Sequence, residues 1–215
     1  MLSLPRLYAI LDVDTVTARG LEPLAVVDGW IKGGARVIQL RAKNLPSGEF
    51  LRLAKSLVAL ARAANSSRAE HAEVSILIND RADIALMSGA DGVHVGQDDL
   101  QPRNLRALRE LRVIGLSTHN LDQLKSALDE PADYFAIGPV FETSSKANPD
   151  PVVGVDGVRA ARAFLDARGD ERPIVAIGGI TPVNAPDVFV AGAASVAMIS
   201  ALFTYRITSF LPEAF

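Results

Sequence analysis

Two apolar runs in the middle of the chain are each followed by carboxylates. Residues 76–78 lead to Asp80, and residues 93–95 lead to Asp98 and Asp99. Short continuous runs of β-branched residues are typical of parallel strands that are buried on both faces. If the two strands are neighbours, Asp80 and either Asp98 or Asp99 emerge at the same edge of the sheet. Carboxylate oxygens with few nitrogen or sulfur ligands nearby suit Mg²⁺, which usually completes its coordination with water and substrate phosphates.

Positive charges, hydroxyls and glycines at the ends of other apolar runs predict where those phosphates bind. Arginine and lysine supply charge, and helix N-termini offer free backbone N–H groups. Gly178 and Gly179 lie between an apolar run and a helix start at Thr181, which favours close approach of the backbone to a phosphate over a simple turn. The candidate residues of this cleft are Arg41, Lys43, Asn79, Asp80, Gln97, Asp98, Asp99, Ser117, His119, Thr143, Ser145, Lys146, Gly178, Gly179 and Ser200.

Several of these residues also have a simpler interpretation. Asp80 taken alone is a candidate helix cap, and one of Asp98 and Asp99 is a candidate solvated bystander. His94 alternates with two valines, which favours a hydrogen-bonded histidine in the core over a metal ligand. His119 is a candidate general base at a strand end, but nothing in the sequence pairs it with an acid.

Eight apolar segments recur along the chain and predict strands. They cover residues 7–11, 37–40, 76–78, 93–95, 113–116, 134–137, 174–177 and 195–198. Helices are predicted at 21–33, from a cap at Ser47, after residue 81, at 103–111, from a cap at Asn120, at 155–168, from Thr181, and at 199–210. Strand ends at residues 95, 116 and 137 are 21 residues apart, which fits compact strand–helix units.

This alternation predicts an α/β fold, a TIM (β/α)8 barrel, as a single domain over residues 1–215, with the site at the C-terminal ends of the strands. A doubly wound open sheet is the alternative, but no Gly-x-Gly-x-x-Gly follows an early strand. With a net charge of −3, nucleic-acid binding is not expected, and without cysteine there is no disulfide or thiolate chemistry. No apolar run predicts a membrane span and no signal peptide is recognised, so a cytoplasmic protein is expected. A homo-oligomer is left open.

Five short motifs occur in the order and at the strand ends typical of a known family. They are Gln39-Leu40-Arg41-Ala42-Lys43, Ile78-Asn79-Asp80-Arg81, Gly92-Val93-His94-Val95-Gly96-Gln97-Asp98-Asp99, Gly138-Pro139-Val140-Phe141 with Thr143 to Lys146, and Ile177-Gly178-Gly179-Ile180. From about Leu7 to Leu202 the chain resembles the thiamine-phosphate synthase family. The resemblance implies a TIM barrel that joins 4-amino-2-methyl-5-hydroxymethylpyrimidine diphosphate to a thiazole phosphate, releasing pyrophosphate and forming thiamine phosphate.

The resemblance also implies roles for individual residues. Asp80 and Asp99 would hold Mg²⁺, while Arg41, Lys43, Ser117 and Lys146 would assist the reaction. The pyrimidine diphosphate would bind Gln39, Arg41, Lys43, Asn79, Ser117 and Lys146, and the thiazole phosphate would bind Thr143, Ser144, Ser145, Gly178 or Gly179, Ile199 and Ser200. The family usually has a threonine before Asp12 and a threonine at position 145, and the proline-rich loop 147–153 looks longer than usual.

The implied chemistry needs no protein nucleophile. An electron-rich aminopyrimidine can stabilise a benzylic-type cation as pyrophosphate departs, after which the thiazole nitrogen attacks. Two alternatives remain open at this point: a thiazole tautomerase that uses His119 as acid and base, and a barrel that binds phosphate or thiamine intermediates without turnover. Dependence on Mg²⁺ separates the synthase from both.

Overall fold

The structure is a computed structural model that describes residues 4–66, 73–143 and 150–210. Eight strands form one closed sheet in the order β1 to β8, and every pair of neighbours is parallel, including β1 with β8. The strands are β1 (Leu7–Asp12), β2 (Val37–Arg41), β3 (Ser75–Asn79), β4 (Gly92–Val95), β5 (Val113–Thr118), β6 (Tyr134–Ile137), β7 (Ile174–Ile177) and β8 (Ser195–Met198). The predicted TIM barrel is therefore confirmed, and the open doubly wound sheet is wrong.

Helices connect the strands on the outside of the barrel. They are α1 (Val13–Ala18), α2 (Pro23–Lys32), α3 (Ser47–Asn65), α4 (Ala82–Ser88), α5 (Pro102–Leu105), α6 (Leu121–Ser126), α7 (Gly154–Asp166) and α8 (Ala185–Val190), followed by 3₁₀ turns at Ser200–Phe203 and Ile207–Phe210. Asn120 caps α6 as predicted, because its side chain accepts a hydrogen bond from the Gln123 N–H at 2.8 Å. No helix in the described part of the chain is both long enough and apolar enough to cross a membrane.

Several predicted helix boundaries are wrong. Residues 199–210 form two short 3₁₀ turns, since this segment is rich in β-branched and aromatic residues of weak helix propensity. The helix predicted at 103–111 ends at Leu105. The helix predicted from Thr181 begins at Ala185, which places Pro186 in the first turn, where its missing N–H costs nothing.

The predicted cap of α3 and the segment after β1 also differ from expectation. Ser47 is the first residue of α3, not its cap, and its hydroxyl accepts a hydrogen bond from Arg81 at 3.0 Å. Helix α1 follows β1 directly because the Asp12 carboxylate accepts the Thr15 N–H at 2.9 Å.

Side chains from alternate strand positions fill two separate layers. The outer layer packs the strands against the helices. The inner layer fills the barrel with Tyr8, Ile10, Val37, Leu77, Tyr134, Ala136, Val175 and Ala197. Because both faces of each strand are covered, the strands read as nearly continuous apolar runs in the sequence.

Gly115 in β5 makes room for Tyr134, one of the two tyrosines of the inner layer. A Cβ atom at this position would overlap the ring and hydroxyl of Tyr134 and would lie 2.5 Å from Nδ1 of His94. The barrel interior can therefore hold the aromatic ring of Tyr134 only because residue 115 has no side chain.

We expect Gly115→Ala to lower the free energy of unfolding by about 2 kcal/mol or more, because the added methyl group overpacks a closed interior. Gly29→Ala is the matched control, since Gly29 lies inside α2 and nothing lies within 4 Å of a Cβ built there. The control should gain roughly 0.5–1 kcal/mol from helix propensity. Urea denaturation followed by circular dichroism measures both changes, and equal effects of the two substitutions would contradict the packing argument.

Candidate active site

A cavity of about 920 Å³ opens at the C-terminal ends of the strands. The predicted site residues that the structure describes all line it: Gln39, Arg41, Lys43, Asn79, Asp80, Asp99, Ser117, Thr143, Gly178, Gly179, Ile199 and Ser200. The other three predicted residues, Ser144, Ser145 and Lys146, lie outside the described residues. Gln97, Asp98 and His119 line the same cavity.

A chain of hydrogen bonds crosses the barrel interior and joins five side chains of residues that all line the cavity; we call it the interior network. Gln39 Nε2 donates to the Tyr8 hydroxyl at 2.9 Å, and the Tyr8 and Tyr134 hydroxyls are 2.8 Å apart. Nδ1 of His94 lies 2.8 Å from the Tyr134 hydroxyl, and Nε2 lies 2.7 Å from Oγ of Ser117. The prediction that His94 is a hydrogen-bonded core histidine is therefore confirmed.

Burial sets the protonation of the interior network. It raises the pKa of Tyr8 and of Tyr134 above the ordinary value for a phenol, so both hydroxyls are neutral at physiological pH. Burial also lowers the pKa of His94 to about 4, because the charged imidazolium loses its hydration. The network consequently joins neutral groups, and each hydroxyl has one proton to donate.

Asp80 and Asp99 face each other on one wall of the cavity. Burial raises the pKa of Asp99, the neighbouring Asp80 carboxylate raises it further, and the Gly96 N–H, 2.8 Å from Oδ2 of Asp99, opposes both effects. Asp80 is held 2.8 Å from the ammonium of Lys43. Asp80 and Asp99 thus place two carboxylates side by side, and burial disfavours the charged form of Asp99. A divalent cation stabilises such an arrangement.

The backbone of Asp80 is in the left-handed region, with φ of 62°. A non-glycine residue there is uncommon and costs roughly 1–2 kcal/mol, and such residues are found at functional sites. The alternative that Asp80 caps a helix is wrong, because α4 begins after Arg81 and has no side-chain cap. The strained conformation instead places Asp80 on the cavity wall.

The carboxylate pair fits Mg²⁺ better than it fits a metal held by protein ligands alone. Within residues 4–66, 73–143 and 150–210, no cluster of three or more histidine, cysteine, aspartate or glutamate side chains could hold a metal. Mg²⁺ commonly uses one or two carboxylates and takes its remaining ligands from substrate phosphates and water. The pair of Asp80 and Asp99 is therefore suited to a cation that binds together with a phosphorylated substrate.

Asp12 orients one of the predicted phosphate ligands, and sequence analysis assigned it no role in the site. Its carboxylate is buried, forms an ion pair with Arg41 and caps α1 at the same time. The two residues are partners in the register of β1 and β2. This pairing could be found from the sequence only by aligning the ends of the two strands.

The structure supplies a packing reason for the two glycines after β7. Gly178 and Gly179 have φ values of 102° and 63°, which favour glycine. A Cβ atom would lie 2.6 Å from Pro139 at the first position and 2.5 Å from the Glu142 carbonyl oxygen at the second. Close packing of the loops after β6 and β7 therefore requires glycine here with or without a phosphate, and phosphate contact stays a prediction.

His119 has an acidic neighbour that is distant in the sequence. Its Nδ1 lies 2.9 Å from the Gly138 carbonyl oxygen and 3.5 Å from Oδ2 of Asp150. A carbonyl only accepts hydrogen bonds, so a neutral His119 carries its proton on Nδ1 and leaves Nε2 as an acceptor. The pairing with Asp150 was not apparent from the sequence because 31 residues separate the two.

Comparison with known proteins gives a consistent result. A family model described as "Thiamine monophosphate synthase" matches residues 7–202. The chain is 46% identical over 207 residues to a thiamine-phosphate synthase of Koribacter versatilis, covering 94% of this chain and 90% of the relative. It is 40% identical to the thiamine-phosphate synthase of Chloroflexus aurantiacus, covering 92% and 84%. Among solved structures, a thiamine phosphate pyrophosphorylase from Pyrococcus furiosus is 30% identical with a TM-score of 0.77, covering 94% of this chain and 89% of that one.

We expect Asp12→Ala to lower the free energy of unfolding by about 2–3 kcal/mol, because it removes a helix cap and a charged hydrogen-bond partner of Arg41. Asp14→Ala is the control, since Asp14 is exposed and accepts a hydrogen bond from Asn44 at 2.8 Å. Its loss should stay below about 1 kcal/mol. Urea denaturation of both variants decides the matter, and a loss from Asp14→Ala as large as that from Asp12→Ala would refute this role of Asp12.

Proposed function

Because the chain belongs to the thiamine monophosphate synthase family, we propose that it is a transferase that couples 4-amino-2-methyl-5-hydroxymethylpyrimidine diphosphate to a thiazole phosphate. The products are thiamine phosphate and pyrophosphate. The observation that carries this proposal is the cavity wall on which Lys43, Asp80 and Asp99 meet beside Arg41 and Asn79. Cations and a carboxylate pair in one place suit a diphosphate that binds with Mg²⁺.

The ends of β2 and β3 form the diphosphate half of the site. Arg41 and Lys43 neutralise the charge that builds up on the leaving pyrophosphate, and Asn79 donates a further hydrogen bond. Asp80 and Asp99 would hold Mg²⁺, which would supply additional positive charge to the phosphate oxygens. Lys146, which lies outside the described residues, is proposed to complete this half.

The proposed reaction breaks one C–O bond and forms one C–N bond. The electron pair of the bond between the pyrimidine methylene and the diphosphate leaves with pyrophosphate, and the electron-rich aminopyrimidine stabilises the resulting cation. The thiazole nitrogen then donates its lone pair to the methylene carbon. No protein nucleophile takes part, so positioning and electrostatic stabilisation supply most of the rate.

The pyrimidine ring is proposed to lie between Gln39 and Ser117, at the two ends of the interior network. The thiazole phosphate is proposed to bind on the opposite side of the cavity. Its ligands would be Thr143, Ser144, Ser145, Gly178 or Gly179, Ile199 and Ser200, of which Ser144 and Ser145 lie outside the described residues.

A thiazole tautomerase is the second candidate function. The observation in its favour is His119, which lines the cavity with an acceptor nitrogen and lies beside Asp150. It would use His119 as acid and base and would need no metal. A barrel that binds the same phosphates without turnover is the third. The curated relatives named above are called synthases, which favours the coupling reaction.

We also propose that residues 1–215 form one domain and that the protein acts in the cytoplasm on small molecules. Neither a membrane nor a nucleic acid is a proposed partner. Assembly into a homo-oligomer stays an open prediction.

Coupling is expected only with Mg²⁺, because the carboxylates need a cation to contact the diphosphate. Asp80→Asn should lower kcat by roughly 10²–10³-fold, the usual cost of losing one electrostatic group at the reacting centre. Asp83→Asn is the matched control in the first turn of α4, since Asp83 pairs with Arg81 on the surface. The assay follows thiamine phosphate and pyrophosphate together, with Mg²⁺ or with a chelator.

Three results would contradict the coupling proposal. Product formation in the presence of the chelator would show that the reaction does not need Mg²⁺. A loss of activity in Asp83→Asn equal to that in Asp80→Asn would show that the effect is not specific to the pair of Asp80 and Asp99. Absence of coupling, with conversion of a thiazole carboxylate tautomer that His119→Asn abolishes, would establish the tautomerase instead.

A further inference from the structure

The interior network joins five residues that all line the cavity, four of which are buried. Gln39 is at one end and Ser117 at the other, with Tyr8, Tyr134 and His94 between them. Tyr8 is 2% exposed and Tyr134 is 0% exposed, and the protein supplies hydrogen-bond partners for both hydroxyls. A buried hydroxyl proton without an acceptor is costly, and this cost makes the direction of each bond in the chain depend on the direction of the next.

The arrangement in the structure has one consistent set of protons. Gln39 donates through Nε2 to Tyr8, so Tyr8 donates to Tyr134, its other partner among the described residues. Tyr134 then donates to Nδ1 of His94. A neutral imidazole with an accepting Nδ1 carries its proton on Nε2, which donates to Ser117. The Ser117 hydroxyl proton is left to point into the cavity, while Gln39 presents Oε1.

Rotation of the Gln39 amide by half a turn reverses every bond. Tyr8 would then donate to Oε1, Tyr134 to Tyr8, Nδ1–H of His94 to Tyr134, and Ser117 to Nε2. Gln39 would present its NH₂ group to the cavity, and Ser117 would present an acceptor. One mixed arrangement leaves the proton of Tyr8 or Tyr134 without an acceptor, and the other leaves the two phenol oxygens 2.8 Å apart with no proton between them. Both are costly in a buried network, so the two ends change together.

We propose that Tyr8, Tyr134 and His94 are positioning residues that couple the two ends of the pyrimidine site, so that Gln39 accepts a hydrogen bond when Ser117 donates one. The proposal rests on the proposed function. Its chemical content is selectivity for a 4-aminopyrimidine, which offers an amino donor and a ring-nitrogen acceptor. A 4-oxopyrimidine offers a carbonyl acceptor and a ring N–H donor, and would need the reversed network.

Two further contacts support this assignment. The backbone of Ser117 is fixed, because Gln97 Nε2 donates to its carbonyl oxygen at 2.6 Å, so only the hydroxyl can turn. The rings of His94 and Tyr134 are stacked, with centroids 5.5 Å apart and planes at 22°, which holds Nδ1 against the hydroxyl. Burial keeps the imidazole neutral, with its pKa near 4, so that one nitrogen donates and the other accepts.

The test removes the central hydroxyl without removing its ring. Tyr134→Phe cuts the network and should reduce the preference for the 4-amino over the 4-oxo pyrimidine by roughly tenfold, the effect of one unsatisfied buried hydrogen bond. Two readouts are used: the ratio of kcat/KM values for the two pyrimidine diphosphates, and the ratio of Kd values for the two pyrimidine monophosphates by calorimetry. Thr118→Val is the matched control, because it removes a buried hydroxyl that donates to the Ala136 carbonyl oxygen outside the network. It should leave both ratios unchanged.

The tautomer of His94 gives a readout that does not depend on turnover. In ¹⁵N-labelled protein, Nε2 should be protonated and Nδ1 should be an acceptor, and Tyr134→Phe should produce a mixture of the two tautomers. If Tyr134→Phe does not fold, Tyr8→Phe cuts the network one bond earlier and should reduce both ratios, because it frees the Gln39 amide to turn. In that variant His94 should keep its proton on Nε2, because Nδ1 is the remaining acceptor for the buried Tyr134 hydroxyl among the described residues.

Three results would overturn the proposal: an Nδ1–H tautomer in the wild type, unchanged ratios in Tyr134→Phe, or an equal loss of both pyrimidines. A change in the ratios caused by Thr118→Val would also overturn it. Failure of the coupling reaction with both pyrimidines would refute the proposed function instead. In that case the Kd ratios and the His94 tautomer still show whether the network determines which of Gln39 and Ser117 donates a hydrogen bond and which accepts one.

Discussion

The hydrogen bonds that join β8 to β1 close a sheet in which all strands run in the same direction. Closure brings eight C-terminal strand ends to one rim, and each end carries the first residues of a connecting loop. The register of the strands then decides which side chains are neighbours. Asp12 lies opposite Arg41, and Asn79 lies opposite His94. The ion pair and the interior network both follow from this register, since a shift of one residue would turn the side chains to the opposite face.

The charged wall of the cavity is organised before any substrate binds. Arg41 is paired with Asp12, and Lys43 is paired with Asp80, so the positive charges have partners within the protein. The carboxylates of the two pairs lie in different surroundings. Asp12 is buried and also caps α1, whereas Asp80 has a left-handed backbone conformation and lies beside Asp99. The Arg41–Asp12 pair is also the less exposed of the two, with side chains 23% and 7% exposed against 52% and 23% for Lys43 and Asp80.

The barrel could be predicted from the sequence because the pattern that indicates it, an apolar run followed by polar residues, is local and recurs along the chain. Each strand is a short apolar run, and polar residues such as Asp80 and Ser117 follow the runs directly. Features that depend on contacts between distant residues were not predictable. The proximity of His119 to Asp150 and the role of Asp12 in holding Arg41 both depend on how loops and strand ends meet in space. The short turns at 200–210 were mistaken for one helix because apolar spacing alone does not report weak helix propensity.

The polar interior of this barrel is not explained by stability. Replacing buried polar groups by well-packed apolar side chains of similar volume is often neutral or stabilising, so Leu or Phe in place of Tyr8 and Tyr134 need not weaken the fold. A fully satisfied network instead fixes one arrangement of its members. Here all five members line the cavity, and in our proposal Tyr8, Tyr134 and His94 set whether Gln39 or Ser117 donates to a substrate. The interior of the barrel therefore acts on the site through hydrogen-bond direction, which a purely apolar core could not transmit.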